Sequence, residues 1–523
     1  MLTCVLAVPL MAAVLAHAPD PTLLIARVTP AFEQDGSAAQ AETTKKPKKS
    51  GKSDKSGKVS KSGKPKKAKA SKPSPDEDRG AIESLDAAGQ QIDVAGQQIE
   101  LTGPRVPTPR FEWKQHPSLR FGRNFRLNFE AKLQEDAHAT HPDAPGLQCA
   151  GATLPSACDW EFHRNRIGVS GKVGKHIDFE IVRELTEQEL TEKQLILGET
   201  AKSQWKDVNV DLDYFKRAQI QVGKFKVPFG LDELTGVTHN DFVYRSLGAM
   251  YLSPGRDVGG QVHGRFFKRG LNYWAGLFQH DGDNARSKKI EGGNETFAAR
   301  VTGAPFRRGM APRFGDLELG GAFAVSQLSN DSFRPNGFRG RTVIAQDYFY
   351  ESVYVKGTRR RFETDLDWTA GPASVRAEYT HVLDGRQAQG LGDEDLPDAR
   401  ARAWYVSGTW ALTGDRKARP FKPENDFLSG GMGGVEVAAR YERLWFDSVD
   451  ATSLSGPASR TPRADAILSS GNRVLTLGVN WTLNRFWKLQ LNAIREHLEN
   501  PLVNPVPGHD AFWSRVLRFQ LVL

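Results

Sequence analysis

From about residue 118 to the last residue, the chain repeats one pattern: short runs of alternating apolar and polar side chains, separated by turns. Phe125, Leu127, Phe129, Ala131 and Leu133 interleave with Arg126, Asn128, Glu130 and Lys132, and Trp513, Leu517, Phe519, Leu521 and Leu523 repeat the beat in the final run. Successive side chains of a strand point to opposite faces, so each run has one apolar and one polar face. About sixteen such runs in a row read as a closed all-β antiparallel barrel in a membrane.

Candidate strands are 118–133, 161–173, 176–185, 206–215, 218–227, 257–267, 271–279, 295–304, 316–327, 347–357, 361–369, 373–383, 400–412, 434–446, 472–484, 486–497 and 512–523. A barrel whose ends both return to the periplasm needs an even strand number, so 347–357 is assigned to a long loop, leaving 16 strands. Connection lengths support this independently. Gly174-Lys175, Lys216-Arg217, Lys268 to Gly270, Ala370 to Pro372 and Asn484-Arg485 are tight turns, whereas 134–160, 186–205, 228–256, 280–294, 328–360, 384–399, 447–471 and 498–511 are long. Short turns at one end and long loops at the other are the outer-membrane arrangement. Connections 305–315 and 413–433 are long on the short-turn side, which predicts that they fold back into the lumen. Trp481 and Trp487 flank one tight turn, and Trp404 and Trp410 share a strand face, as interfacial girdles require.

No apolar stretch after the N-terminus is long enough for a membrane helix, so spanning falls to strands. Residues 1–18, ending Ala16-His17-Ala18, read as an export signal. Residues 19–80 are rich in Lys, Ser, Gly, Pro and Ala and too poor in apolar surface to offset their ordering entropy; disorder is expected. This segment serves either as a solvated tether or as a contact for an anionic periplasmic polymer or lipid headgroups; nucleic acid is excluded for an exported chain. In 81–104 a seven-residue repeat, AGQQID then AGQQIE, with Leu85, Ile92 and Ile99 in register, fits a short coiled coil or a strand or linker. The barrel occupies 105–523.

The net charge of +9 is misleading. Residues 1–80 hold 15 basic and 8 acidic side chains, leaving 56 basic and 54 acidic in the remainder. Only the placement of charges can therefore set a preference in the barrel. Catalytic signatures are lacking: there is no Walker loop, HExxH or GxSxG, and GGMGG at Gly430 to Gly434 is a connector. No enzymatic activity, cofactor or metal is expected. Cys149 and Cys158, nine residues apart in a long loop of an exported chain, point to a disulfide, with a two-thiol metal site the weaker reading.

The segments VGKFKVPFGLDEL (Val222 to Leu234), RSLGAMYLSPGRDVGGQVHG (Arg245 to Gly264), Pro305-Phe306, RAEYTHV (Arg376 to Val382), AWYVSGTWALTGD (Ala403 to Asp415), GVEVAARYERL (Gly434 to Leu444) and GVNWTLN (Gly478 to Asn484) occur in order over nearly all of 105–523. Together they resemble the phosphate-selective porin O and P family. The resemblance implies a 16-stranded outer-membrane barrel, usually a homotrimer, passing small anions such as phosphate or polyphosphate, surrounded by outer-membrane lipid and lipopolysaccharide. Leu523 departs from the Phe usual at the family's C-terminus.

An anion entering a narrow pore loses hydration, which Arg and Lys donors can replace. On the alternation, Arg126, Lys132, Arg164, Arg166, Arg376, Arg440, Lys488 and Arg518 face inward. The family motif marks loop 228–256 as the inward constriction, bracketed by Lys224, Lys226, Arg245 and Arg256. These twelve are the expected anion path. The competing reading is cross-strand pairing with inward acids: Glu130, Asp207, Asp211, Asp213, Glu363, Asp365, Asp367, Glu378, Glu436 and Glu442. A porin for neutral solutes and a structural anchor for the basic tail are the alternatives.

Overall fold

The computed structural model describes residues 109–113, 116–140, 160–187, 203–215, 217–267, 270–284, 295–306, 316–328, 335–390, 392–449, 465–505 and 508–523. The export signal, the Lys-rich segment, the heptad repeat and Cys149 with Cys158 lie outside these residues.

A hairpin of β1 (Pro109–Trp113) and β2 (Pro117–Phe121) precedes the barrel wall. The wall begins with β3 (Phe125–Thr140), β4 (Trp160–Val173), β5 (Ile177–Glu184), β6 (Trp205–Phe215), β7 (Ala218–Lys226), β8 (Arg256–Phe266), β9 (Leu271–Phe278), β10 (Thr296–Gly303) and β11 (Glu318–Leu328). The small hairpin β12 (Gly340–Arg341) and β13 (Tyr348–Tyr350) interrupts it. It resumes with β14 (Gly357–Ala370), β15 (Ala373–Arg386), β16 (Leu396–Ala411), β17 (Gly434–Ser448), β18 (Ser470–Thr482), β19 (Trp487–Leu498) and β20 (Ala511–Val522). Each wall strand pairs antiparallel with the next, and β20 pairs with β3, closing 16 strands. Closure leaves no unpaired backbone edge, the condition for a sheet to sit in hydrocarbon.

Residues 347–356 belong to the long connection between β11 and β14, which carries β13, and Gly357 opens β14. The 118–133 run, however, is two strands: the chain turns at Gly122 (φ 61°), and β2 folds back on the start of β3. The reason is the seam. From Thr140 to Lys132, β3 pairs with β20, and Ala131 and Leu523 exchange backbone hydrogen bonds of 2.8 and 3.2 Å. Beyond that point β20 has ended, and β2 supplies partners for Phe125 to Asn128. The short turns follow from local geometry. Gly371, between β14 and β15, has φ 56° with open space where a side chain would sit, so the turn needs glycine for its backbone and not for room.

The outer face carries the apolar phase: Ile181, Val210, Val222, Val262, Leu277, Val301, Phe362, Val406, Val437, Leu477, Leu491 and Leu517 are all exposed. Aromatic pairs mark its short-turn rim, among them Trp487 with Phe519 (centroids 4.9 Å apart) and Phe427 with Trp481 (5.6 Å). The inner face is not polar throughout. Toward the long-loop end of β15 to β20 it presents Val382, Ala401, Ala403, Leu444, Phe446, Val474, Ile494, Leu498, Phe512 and Val516, all buried in one apolar cluster. Loops inside the lumen cover this patch.

Candidate functional site in the barrel lumen

Three segments enter the lumen. The first follows β7 and carries α1 (Leu231–Leu234), a single 3₁₀ turn (Val237–His239) and α2 (Leu247–Tyr251). A loop inside a barrel must find partners for its backbone away from bulk water, and here the wall provides them. Asp232 N donates to Glu378 (2.9 Å), Val243 N to Asn492 (2.8 Å) and Leu247 N to Glu442 (2.6 Å). In the other sense, Lys488 donates to Asn240 O (2.8 Å), Asn480 to Asp241 O (2.9 Å), Arg518 to Val243 O (2.7 Å), and Arg440 to Tyr244 O (3.1 Å) and Arg245 O (3.3 Å). Within the loop, Lys226 donates to the carbonyls of Glu233, Leu234 (3.3 Å) and Thr235 (3.2 Å), capping the end of α1.

The second segment, residues 335–356 with β12 and β13, packs on α2 and the apolar patch of the wall. Tyr350 stacks face to face on Phe446 at 4.0 Å, Val343 N donates to both carboxylate oxygens of Glu496 (3.1 Å each), and Ser470 donates to Phe349 O (2.7 Å). The third is part of the connection 412–433, as expected of a long connection on the short-turn side. Lys417, fully buried, donates to Asp241 (2.6 Å) and Glu436 (2.7 Å), while Arg419 reaches Asp367 at 2.7 Å. Burial pushes the Asp241 carboxyl up, but Lys417, Arg419 and Arg376 overcome it and hold it well below the usual range.

Between the first segment and strands β3 to β8, a cavity of about 730 Å³ stays open. Lys132, Arg166, Lys226, Arg256, Lys422 and Arg485 line it, against Glu130, Glu180 and Asp207. Six cations face three carboxylates. His239 also lines it, and burial, with Lys132 and Lys488 nearby, lowers its pKa. Thr238, His239, Pro420, Arg485, Phe486 and Val522 also border a smaller space of about 110 Å³.

The twelve residues of the expected path divide accordingly. Lys132, Arg166, Lys226 and Arg256 line the open cavity. Arg245, Arg440, Lys488 and Arg518 hold the inward loop; Arg245 donates to Thr235 O (2.6 Å) and pairs with Glu233 (3.4 Å). Arg376 pairs with Asp367 (3.0 Å), Arg164 donates to Gln134 (2.9 Å), and Arg126, exposed, donates to Asn128 (2.7 Å). Lys224 stands opposite Val208 and Val258, both exposed on the outer face, so its strand position faces away from the lumen. Lys224 brackets loop 228–256 in sequence, but the wall's inner parity here passes through Asn209, Gly223 and Gly259.

Most inward acids are paired. Glu130 meets Lys132 (3.1 Å), Asp207 meets Arg256 (2.9 Å), Asp211 meets His263 (3.0 Å), Glu363 and Asp365 share Arg300 (2.7 Å each), and Glu442 meets Arg440 (2.9 Å). Glu378 instead receives loop backbone, a role no strand pattern encodes. Also beyond sequence reasoning was the junction where buried Arg359 and Arg361 converge on Asp281, with Arg359 also bonded to Asp384 (2.6 Å). Burial raises the Asp281 pKa and the two guanidinium groups lower it further, leaving it well below the carboxylate range.

Residues 141–521 match the family model described as phosphate-selective porin O and P. No curated protein matches the chain. Similar solved structures include outer-membrane expressed OmpT of Vibrio cholerae (11% identity, 77% of this chain and 99% of that one, TM-score 0.46). Others are an anion-selective porin from Comamonas acidovorans (11% identity, 76% and 100%, TM-score 0.44) and Salmonella typhi OmpF in complex with daunomycin (10% identity, 79% and 100%, TM-score 0.44).

Proposed function

Because the chain belongs to the phosphate-selective porin O and P family, we propose that it passes small anions, phosphate or polyphosphate foremost, passively across the bacterial outer membrane, without catalysis. The observation that carries the anion preference is the charge of the open cavity: Lys132, Arg166, Lys226, Arg256, Lys422 and Arg485 outnumber Glu130, Glu180 and Asp207 two to one. Low-dielectric walls focus that excess, and fixed N–H donors replace part of an anion's hydration shell. Arg presents a planar fork to two phosphate oxygens, and Lys acts as a point charge. The inward loop narrows the lumen to this basic corridor.

We further propose that the protein is a homotrimer, is exported by residues 1–18, carries a Cys149 to Cys158 disulfide in its first long loop, and holds its Lys-rich segment in the periplasm, where it contacts an anionic polymer. A porin for neutral solutes is the second reading, favoured by the pairing of Lys132, Arg166 and Arg256 with Glu130, Glu184 and Asp207, which mutes the field. Reversal potentials in a planar bilayer under a KCl gradient separate the two. Anion preference, with phosphate slowing chloride current, supports the corridor; cation preference or no selectivity overturns it.

A further inference from the structure

At the long-loop end of the barrel seam, β3 and β4 fall out of step. Gln134 pairs with Arg164 but Glu135 pairs with Phe162, so His163 is an extra residue on β4. A bulge of this kind re-aims the side chains around it. Phe162 stays exposed on the outer face, while His163 meets the Tyr244 ring of the inward loop edge-on at 5.5 Å, and Glu161 stands opposite buried Asp136 on the inner face. Uninterrupted alternation from Arg164 would turn both His163 and Glu161 outward, so period-two counting misses what the bulge brings together.

Four side chains with metal-ligand chemistry meet there. His163 Nδ1 lies 3.1 Å from Glu161 Oε1 and 3.6 Å from Asp136 Oδ2, and His138 Nε2 lies 3.5 Å from Glu161 Oε1. An ion held tetrahedrally by imidazole nitrogen and carboxylate oxygen at about 2.0–2.2 Å spaces its ligand atoms on the order of 3.3–3.6 Å apart. The three separations fall close to that spacing. Arg518 donates to both Asp136 oxygens (2.6 Å each), which fixes the carboxylate as an outer partner of a metal ligand does. The His138 side chain is nine-tenths buried, and its Nδ1 has no hydrogen-bond partner. Arg164, beside the cluster, donates to Gln134 (2.9 Å), and Glu161, 48% exposed, leaves the group open to an arriving ion.

We propose that His138, Glu161, His163 and Asp136 form a site for a divalent transition-metal cation, Zn²⁺ foremost, at the long-loop mouth of the lumen. Two imidazoles in the donor set select Zn²⁺, Co²⁺ or Ni²⁺ over Ca²⁺ and Mg²⁺, which take oxygen ligands. The bound ion joins β3 to β4 beside the pair that closes β3 on β20, so it stabilises the folded barrel by mass action. The inference is independent of the anion path, because none of the four residues lines the open cavity.

The test uses the full-length, tag-free barrel in detergent, stripped with EDTA and with any free thiols alkylated so that cysteines cannot supply the ligands. Calorimetric titration with Zn²⁺ should show one tight site per chain, undiminished by excess Ca²⁺, and Co²⁺ in its place should give the visible absorption of a tetrahedral complex. Losing an outer partner of a metal ligand costs about 10–100-fold in affinity, so losing a ligand should cost on the order of 100-fold or more. That loss is expected in H163A and in E161Q, the milder change at the more exposed position. Saturating Zn²⁺ should also raise the unfolding temperature of the parent barrel on heat-modifiable gels and leave that of either variant in place. No Zn²⁺ binding by a heat-modifiable parent barrel, unchanged affinity in heat-modifiable H163A or E161Q, or displacement by Ca²⁺ overturns the proposal.

Discussion

Lys417 illustrates how a single side chain holds the lumen's interior in place. Its ammonium is buried between Asp241 of the inward loop and Glu436 of the wall. Removing one partner of a buried pair typically costs about 3–5 kcal/mol, because the charges left behind lose their compensation. Lys417→Met should therefore release the connection 412–433 from the loop and raise single-channel conductance and its noise in planar bilayers. The pH sign follows from Asp241. Its folded pKa lies below its ordinary value of 3.8, so its ionisation adds stability at every pH above that value, and this is lost only as pH falls further. Conductance should stay constant from pH 7 to about 5 on this account; a conductance step within that window would remove Asp241 from its role as the clamp. At the cavity mouth, Lys422→Glu combined with Arg485→Glu turns a six-to-three excess of cations into four cations against five carboxylates. The barrel should fold normally, with reversal potential shifting toward cation preference.

Among the elements, the loops inside the barrel behave as a core. Tyr350, Phe349, Ile344 and Val343 meet Phe446, Leu444, Val474 and Ile494, and each large side chain buried is worth about 1.5–3 kcal/mol. Replacing residues 335–355 with a short Gly-Ser link should leave the 16-stranded wall closed but expose an apolar patch inside it. A severalfold rise in conductance with reduced thermal stability is expected; unchanged conductance would mean that ions never approach that side. The strand-to-strand pattern was readable from alternation, and so, from its length, was inward folding of part of 413–433, which brings in Lys417 and Arg419. The apolar inner patch was not. Val474 and Ile494 lie on the inner face yet pack under a loop, and alternation reports which face a residue occupies and not what fills the space beyond it.

At the scale of the molecule, closure depends on one seam between the first and last wall strands. Arg518 bridges it with a bidentate pair to Asp136 (2.6 Å each) and also donates to Val243 O in the inward loop, so one guanidinium ties the seam to that loop. Arg518→Met strips the guanidinium from buried Asp136, leaving His163 at 3.6 Å. Loss of about 3–5 kcal/mol is expected, visible as a lower unfolding temperature on heat-modifiable gels, together with a more open loop; normal thermal behaviour would place the seam's strength in the backbone ladder alone. Of the twelve cations on the expected anion path, Lys132, Arg166, Lys226 and Arg256 border the open cavity.

By itself the sequence determined the barrel: period-two alternation, tight turns opposite long loops, and an even strand number leave a 16-stranded closed wall as the arrangement that satisfies every backbone group in a membrane. It also determined that the barrel's charge is nearly balanced. The tertiary structure alone decided which charges remain available. Arg440, Lys488 and Arg518 share a parity with Lys132 and Arg166, but loops pressed against one side of the lumen use the first three as backbone donors and leave the others beside open space. A strand pattern specifies direction; whether a cation meets a carbonyl, a carboxylate or water depends on what packs opposite it.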